Sequence, residues 1–251
     1  MPRPLSLGIS TPIPTVPVNP KGYLAGTDKR KRLAHITPEW HRSRLALFIP
    51  PGHAHMDVDV DGMEVGVARC KAVEIAREQG LRYLFFLDWD VLVPPDALAK
   101  LVYRLENYPD YDVAAGLYCL KSDPPWPLLW RDWNQGVAWD WTVGDVLLDR
   151  VVGVPMGCTL LRLSLFDRLE QAEGKPWFKT VDEIVDSGQS QVKSVATEDL
   201  YFCQRLLNEA AGKMLVDTGI LCEHICHTTG RRYHLDTESL PWRRARESAG
   251  Q

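Results

Sequence analysis

No stretch of this sequence is apolar for long enough to cross a bilayer as a helix. The longest uncharged run that is also apolar, Val151 to Leu161, falls well short of the ~20 residues a span needs. Pro4 to Pro20 is uncharged too, but its prolines break any helix and spoil the apolar core of a secretory signal. A soluble chain working in the cytoplasm is the expectation. An excess of charge of one sign is also missing. Lys and Arg number 29 against 33 Asp and Glu, for a net charge of -4, which excludes a general nucleic-acid coat. No internal repeat is visible. No finger or ribbon spacing links the six cysteines to the histidines. Cys70, Cys119, Cys158, Cys203, Cys222 and Cys226 stand mostly in apolar surroundings and are expected as buried free thiols.

What is present is ordinary globular composition: 251 residues, 45% hydrophobic and 25% charged, enough for one large domain or two small ones with a sizeable core. Residues 1–22 hold six of the 18 prolines and read as an extended arm, neither helix nor inner strand. Lys29-Arg30-Lys31-Arg32 reads as a solvated face. Organised structure is expected from Leu45. Leu45 to Ile49 is a short apolar run closed by Pro50-Pro51-Gly52, the pattern of a buried strand entering a loop. Val65, Ala68, Ala72, Ile75 and Ala76 repeat at helical spacing before Gly80, where a C-cap belongs. Tyr83 to Leu87 is a second buried strand, and Pro94-Pro95-Asp96 opens a helix with Leu98, Leu101, Val102 and Leu105 on one face. Further strands are predicted over 112–120, 158–163 and 214–226. Further helices are capped by Ser164 and Thr197. Residues 174–196 read as a mobile loop. Five tryptophans between Trp126 and Trp141 suggest a packed hairpin or a binding surface. Strands alternating with helices make an α/β fold with a mostly parallel sheet.

Three acidic elements carry candidate chemistry. Asp88-Trp89-Asp90 directly follows an apolar strand, and ligands in open α/β sheets bind outside the carboxyl ends of strands. Two carboxylates one residue apart suit Mg2+ or Mn2+; the same triplet is also an ordinary acidic helix start. Thr197-Glu198-Asp199 is good helix N-terminal chemistry, or one of its acids is a general base at the sheet edge. Asp217 to His224 places Cys222, His224 and Cys226 in alternation on a strand. This fits zinc poorly, and fits better a single His224 joining the Asp pair on one metal, or a plain core histidine.

The order of Ala68-Arg69-Cys70, Phe86-Leu87-Asp88-Trp89-Asp90-Val91, Ala115-Gly116-Leu117-Tyr118, Thr197-Glu198-Asp199-Leu200-Tyr201-Phe202-Cys203 and Val216-Asp217-Thr218-Gly219 leading to His224 resembles nucleotide-sugar glycosyltransferases of the GT-A fold, close to the family-2-like group. The resemblance spans roughly residues 45–230. It departs from the cellulose-synthase type in lacking a Q-x-x-R-W motif and in carrying the bulky Trp89 inside the first motif. The resemblance implies a Rossmann-like central sheet flanked by helices in one domain, 45–230, with a proline-rich arm and basic segment at 1–44 and a basic tail at 231–251. It implies a nucleotide-sugar donor and a divalent cofactor, Mn2+ or Mg2+. Asp88 would contact the ribose and the metal, Asp90 would bind the metal, and His224 would complete its protein ligands. Asp199 would be the base and Glu198 its neighbour on the acceptor. Arg69 and Trp89 would lie against the nucleotide, the Pro50–Gly52 loop would let it approach closely, and Gly157 would line the donor sugar or acceptor.

An acceptor-side carboxylate suits single displacement, which inverts the anomeric carbon. The loop at 174–196 would close over the donor. The acceptor is a small molecule, a glycan, a lipid head group, a protein or a modified DNA base, the last because Arg243-Arg244-Ala245-Arg246 and the run at 29–32 are basic. A nucleotidyltransferase of similar fold and a catalytically inactive binding module are the competing classes. The first would carry a Gly-rich basic loop after its first strand, where this chain has Pro50-Pro51-Gly52-His53-Ala54-His55.

Overall fold

The computed structural model describes residues 5–13, 15–17, 31–33, 36–133, 136–137, 141–149, 151–186 and 190–235. Seven strands form the central sheet: β1 (Leu5–Ser10), β2 (Ala54–Asp57), β3 (Tyr83–Leu87), β4 (Val113–Leu117), β5 (Val146–Leu148), β6 (Cys158–Arg162) and β7 (Met214–Leu221), in the spatial order β2-β1-β3-β6-β4-β7-β5. β1 is parallel to β2 and β3, and β7 to β4. β6 runs antiparallel between β3 and β4, and β5 is antiparallel to β7. The carboxyl ends of β1, β3, β4 and β7 therefore share one rim with the amino end of β6.

Helices cover both faces: α1 (Pro38–Leu45), α2 (Val65–Glu78), α3 (Ala97–Asn107), α4 (Leu165–Ala172) and α5 (Glu198–Asn208). β3 shows why its sequence is an unbroken apolar run. Leu84 and Phe86 face one core with Ala72, Val73 and Ala76 of α2, Phe166 and Leu169 of α4, and Phe202 and Leu206 of α5. Tyr83, Phe85 and Leu87 face the other with Leu98, Leu101 and Leu105 of α3 and Trp40 of α1. Alternate residues thus serve opposite cores, the two-residue period of a strand.

Four local expectations need correction. The first sheet strand is not Leu45–Ile49 but Leu5–Ser10, inside the arm. Its neighbours are β2 and β3, so it is an inner strand. The prolines bracket it at Pro4 and Pro12 without interrupting it, and Leu7 and Ile9 are buried. Leu45 instead ends α1, which Thr37 caps by accepting from the Trp40 amide at 3.2 Å; Leu45 and Phe48 lie exposed. The stretch read as a mobile loop carries an antiparallel hairpin, Val181–Asp186 with Ser190–Ala196. The last strand breaks at Cys222 and resumes as Glu223–Ile225, so Cys222, His224 and Cys226 do not alternate along one strand.

The tryptophan-rich middle does contain a hairpin, Trp130–Asp132 with Gly136–Val137. The six cysteines are unpaired, four of them buried. Among the described residues no helix is long and apolar enough to cross a membrane. Lys29, Arg30 and Arg243-Arg244-Ala245-Arg246 lie outside the described residues. With Ile9 fully in the core, Ile9→Ala should cost about 2–5 kcal/mol in urea unfolding; a loss under ~1 kcal/mol would place β1 at the surface instead.

Candidate active site

The shared rim gathers the acidic elements. β3 delivers Asp88 at its end, where the Asp88 amide donates to the Gly157 carbonyl at 3.1 Å. The Trp40 indole N–H donates to the Asp88 carbonyl at 2.7 Å, so α1 pins the backbone of the first acid. Beneath the acids sits Arg69. It occupies the buried stripe of α2 with Ala68, Ala72, Val73 and Ala76, a place for an apolar side chain, and is 2% exposed. Its Nη2 donates to both Asp88 oxygens at 2.9 and 3.2 Å, and its Nε to Glu198 Oε1 at 3.3 Å. The guanidinium also lies 5.1 Å from the Phe86 ring centroid. Arg69 thereby joins the end of β3 to the first turn of α5. Its remaining nitrogen, Nη1, is buried with no hydrogen-bond partner.

Burial raises the Asp88 and Glu198 carboxyls above their ordinary values, with Arg69 opposing in each case. Asp199 stands beside them and adds negative charge to both. Its Oδ1 accepts from the Leu200 amide at 2.8 Å and from the Thr197 hydroxyl, so the Thr197 hydroxyl serves Asp199 and makes no side-chain cap to the backbone.

A second cluster adjoins the first. Glu223–Ile225 pairs with Val91–Leu92, setting His224 opposite Val91, and the Ile225 amide donates to the Asp90 carbonyl at 2.8 Å. His224 Nε2 then lies 3.2 Å from Asp90 Oδ2, while Nδ1 lies 2.8 Å from the Cys119 carbonyl. A carbonyl only accepts, so Nδ1 carries a proton. Nε2 and the carboxylate then need a cation or a second proton between them. Lys121 supplies positive charge here, its Nζ 2.6 Å from the same Asp90 Oδ2. Burial pushes the Asp90 carboxyl up, but the His224 and Lys121 contacts outweigh it and hold it at about 2.

Among the described residues no three His, Cys, Asp or Glu groups converge as a metal cluster. Asp90 and His224 nevertheless fit two neighbouring ligands of one ion, since ligand atoms about 2.1 Å from a metal and about 100° apart lie about 3.2 Å from each other. A ring N–H held by a backbone carbonyl is also the usual support of a metal-bound histidine. Asp88 is not part of that pair: both its oxygens face Arg69.

Gly157 lies against Asp88, and a Cβ there would come 2.9 Å from Asp88 Oδ2 and 2.6 Å from the Tyr118 hydroxyl. Only glycine lets the backbone pass this close. Trp89 stacks on His227 with ring centroids 3.7 Å apart.

Pro50 and Gly52 do not join the site. They precede β2, and the adjoining His53 contacts Ser6 at the start of β1, at 3.0 Å, and the ring of Tyr83 at the start of β3. A strand the length of β3, about 15 Å, separates them from Asp88. The cause is the misplaced first strand: the loop after the true β1 starts beyond Ser10. The positive φ of Gly52, 95°, serves a turn at the far rim. A groove of about 840 Å³ lined by Arg77, Arg82, Arg162 and Lys175 also opens at that far end. Its Arg77 and Lys175 are already paired with Asp167, Glu170 and Glu74. Asp217 is structural, accepting from Arg104 of α3 at 2.8 Å.

Sequence reasoning misses Trp40, Lys121 and Ser10, and gives no role to Tyr118, which it holds only as the end of the Ala115–Tyr118 motif. Tyr118 and Lys121 follow β4 at its carboxyl end, the one signal that would have found them. The Tyr118 hydroxyl accepts from the Gly157 amide at 3.2 Å, and burial, with Asp88, Asp199 and Asp90 nearby, raises it well above the ordinary tyrosine value. Ser10 closes β1 with its hydroxyl buried and unpartnered.

No family model and no curated protein matches the sequence. Among solved structures the chain is similar to A197 from STIV, at 13% identity with a TM-score of 0.57, covering 92% of this chain and 95% of that one. That likeness shows the fold. A UTP-bound UGPase from Acinetobacter baumannii superposes at 9% identity, covering 86% of this chain and 89% of that one. Its TM-score is 0.45.

Arg69→Met should cost about 3–5 kcal/mol at neutral pH, because it strands two part-buried carboxylates. In the variant Asp88 and Glu198 bind protons more readily folded than unfolded, so stability is gained as the pH falls. Urea unfolding at pH 7 and pH 5 should show the deficit against wild type narrowing at pH 5. A deficit that stays constant would mean that the lost packing, and not the charge, sets it.

Proposed function

We propose that the chain is a glycosyltransferase that moves a sugar from a nucleotide-sugar donor to an acceptor hydroxyl. The observation that carries this reading is the Arg69 bridge, which joins the acid ending β3 to the acids opening α5 at the rim where α/β sheets bind ligands. A donor-side and an acceptor-side carboxylate then stand in one half-buried place. Sugar transfer needs both: charge compensation for the diphosphate as it leaves, and a base for the hydroxyl that attacks.

In this reading Asp90 and His224, with Asp88 beside them, would hold a Mn2+ or Mg2+ ion. Such an ion neutralises charge developing on the diphosphate leaving group. Trp89, stacked on His227, offers an aromatic face at the donor side. Gly157 sets how closely the donor sugar approaches Asp88. Arg69 is a positioning residue: it orients Asp88 and Glu198 and offers its unpartnered Nη1 to a polar group that enters the cluster. Asp199 takes the proton from the acceptor hydroxyl. Its Oδ1 is steadied by the Leu200 amide, which fixes the carboxylate as the α5 start fixes the backbone. A base on the acceptor side is the arrangement for single displacement with inversion. The acceptor stays as broad as the sequence left it.

The test begins with thermal shift in UDP, GDP and their sugars, each with Mn2+. A ligand that binds only the folded state raises the midpoint. Asp199→Asn should then slow sugar transfer by at least ~10²-fold, the usual scale for losing a positioned base, while nucleotide binding persists. Near-wild-type turnover would move the base to Glu198, and the parallel Glu198→Gln variant separates the two. A midpoint raised by none of these nucleotides would falsify the donor reading. NMR of the first-formed product checks the inversion: retention of the donor's anomeric configuration removes single displacement by Asp199.

A further inference from the structure

Asp90 Oδ2 has two close nitrogen partners. Lys121 Nζ is 2.6 Å away and His224 Nε2 3.2 Å. The carboxylate is largely buried, with its side chain 15% exposed, and Lys121 stands on the more open side at 28%. The lysine is fixed at its base. Cys119 bridges Pro127 and the Leu120 amide donates to the Trp126 carbonyl at 2.8 Å, so the loop that carries Lys121 is tied down on both sides. What can move is the four-carbon stem and its hydrated ammonium, a point charge well suited to phosphate oxygens.

We propose that Lys121 couples the metal to the diphosphate. Its ammonium contacts the Asp90 carboxylate oxygen that a divalent ion needs, and it leaves that carboxylate when a diphosphate offers it phosphate oxygens instead. This rests on the reading above, that a nucleoside diphosphate and a divalent ion share the Asp90–His224 edge. An ammonium and a divalent ion on one largely buried oxygen repel each other. Metal alone must displace the lysine into water, with the loss of its ion pair to Asp90. A diphosphate that arrives with the metal accepts the displaced ammonium. Each ligand therefore tightens the other, by the same factor in both directions. Lys121 is a ligand-binding residue here, absent from the acidic motifs, whose ammonium is shared between Asp90 and the diphosphate.

The test titrates Mn2+ into the full chain and follows the free ion by electron paramagnetic resonance, alone and with saturating UDP or GDP. Wild type should bind Mn2+ at least about 10-fold tighter with a diphosphate than without it, within the usual range of coupling between two sites. Lys121→Gln should bind Mn2+ alone at least about 10-fold tighter than wild type, and the gain from diphosphate should shrink towards none. Lys121→Arg keeps the charge and should follow wild type. Thermal unfolding of the three proteins shows that each is folded. If Lys121→Gln binds Mn2+ alone no better than wild type, while diphosphate still promotes metal binding in both, the coupling role is overturned and the proposed function stands. If no protein binds Mn2+ even with UDP or GDP, the metal reading fails and this proposal fails with it.

Discussion

A guanidinium buried in the apolar stripe of a helix needs partners, and around Arg69 the partners set the geometry of the rim. Desolvating a cation of this size costs several kcal/mol unless charge and hydrogen bonds compensate. Here Asp88 and Glu198 compensate, and they come from elements more than a hundred residues apart in sequence. α5 cannot slide along the sheet without taking Glu198 away from Arg69. The strand end cannot retreat, because Trp40 and the Gly157 carbonyl hold the Asp88 backbone. The carboxylates are thereby placed before any ligand arrives, which is what positioned acid–base chemistry requires.

The parts of this arrangement that sequence could reveal are those written in one local segment. Tyr83–Leu87 is legible as a strand because both its faces are buried and all five residues are apolar. The α2 stripe is legible from its spacing, and the acids after β3 and before α5 stand out because each follows or opens a clear element. β1 was hidden because Leu5–Ser10 lies among prolines, and composition over twenty residues masks six that pair normally. A first strand at Leu45–Ile49 would put Pro50 and Gly52 in the site, whereas a first strand at Leu5–Ser10 leaves them at the far rim. Lys121 and Tyr118 were hidden for another reason. Nothing in Tyr118-Cys119-Leu120-Lys121 is unusual until β4 is known to end beside β3, with only β6 between them.

His224 shows the same division. Its presence near the last strand is readable, but its role depends on the break at Cys222 and on pairing with Val91–Leu92. Those two features turn the ring so that one nitrogen meets a carbonyl and the other meets Asp90. The Cys119 carbonyl fixes the Nδ1 proton and the strand pairing sets Nε2 against Asp90, and no motif of residue types encodes that.

The reversed direction of β6 has a topological yield. A sheet whose strands all ran the same way would bring only departing segments to this rim, each followed by a crossover to the far end. Each of the two reversed strands, β5 and β6, brings an arriving segment as well, and the one that enters β6 ends in Gly157, whose small size sets the closest approach to Asp88. Departing loops can lengthen or change while the sheet stays intact, whereas Pro155-Met156-Gly157 is tied to the strand it enters and to the tyrosine beside it. The rim is therefore built from departing loops around arriving segments held by the strands they enter, so a change of loop length can reshape its walls without moving Gly157 away from Asp88.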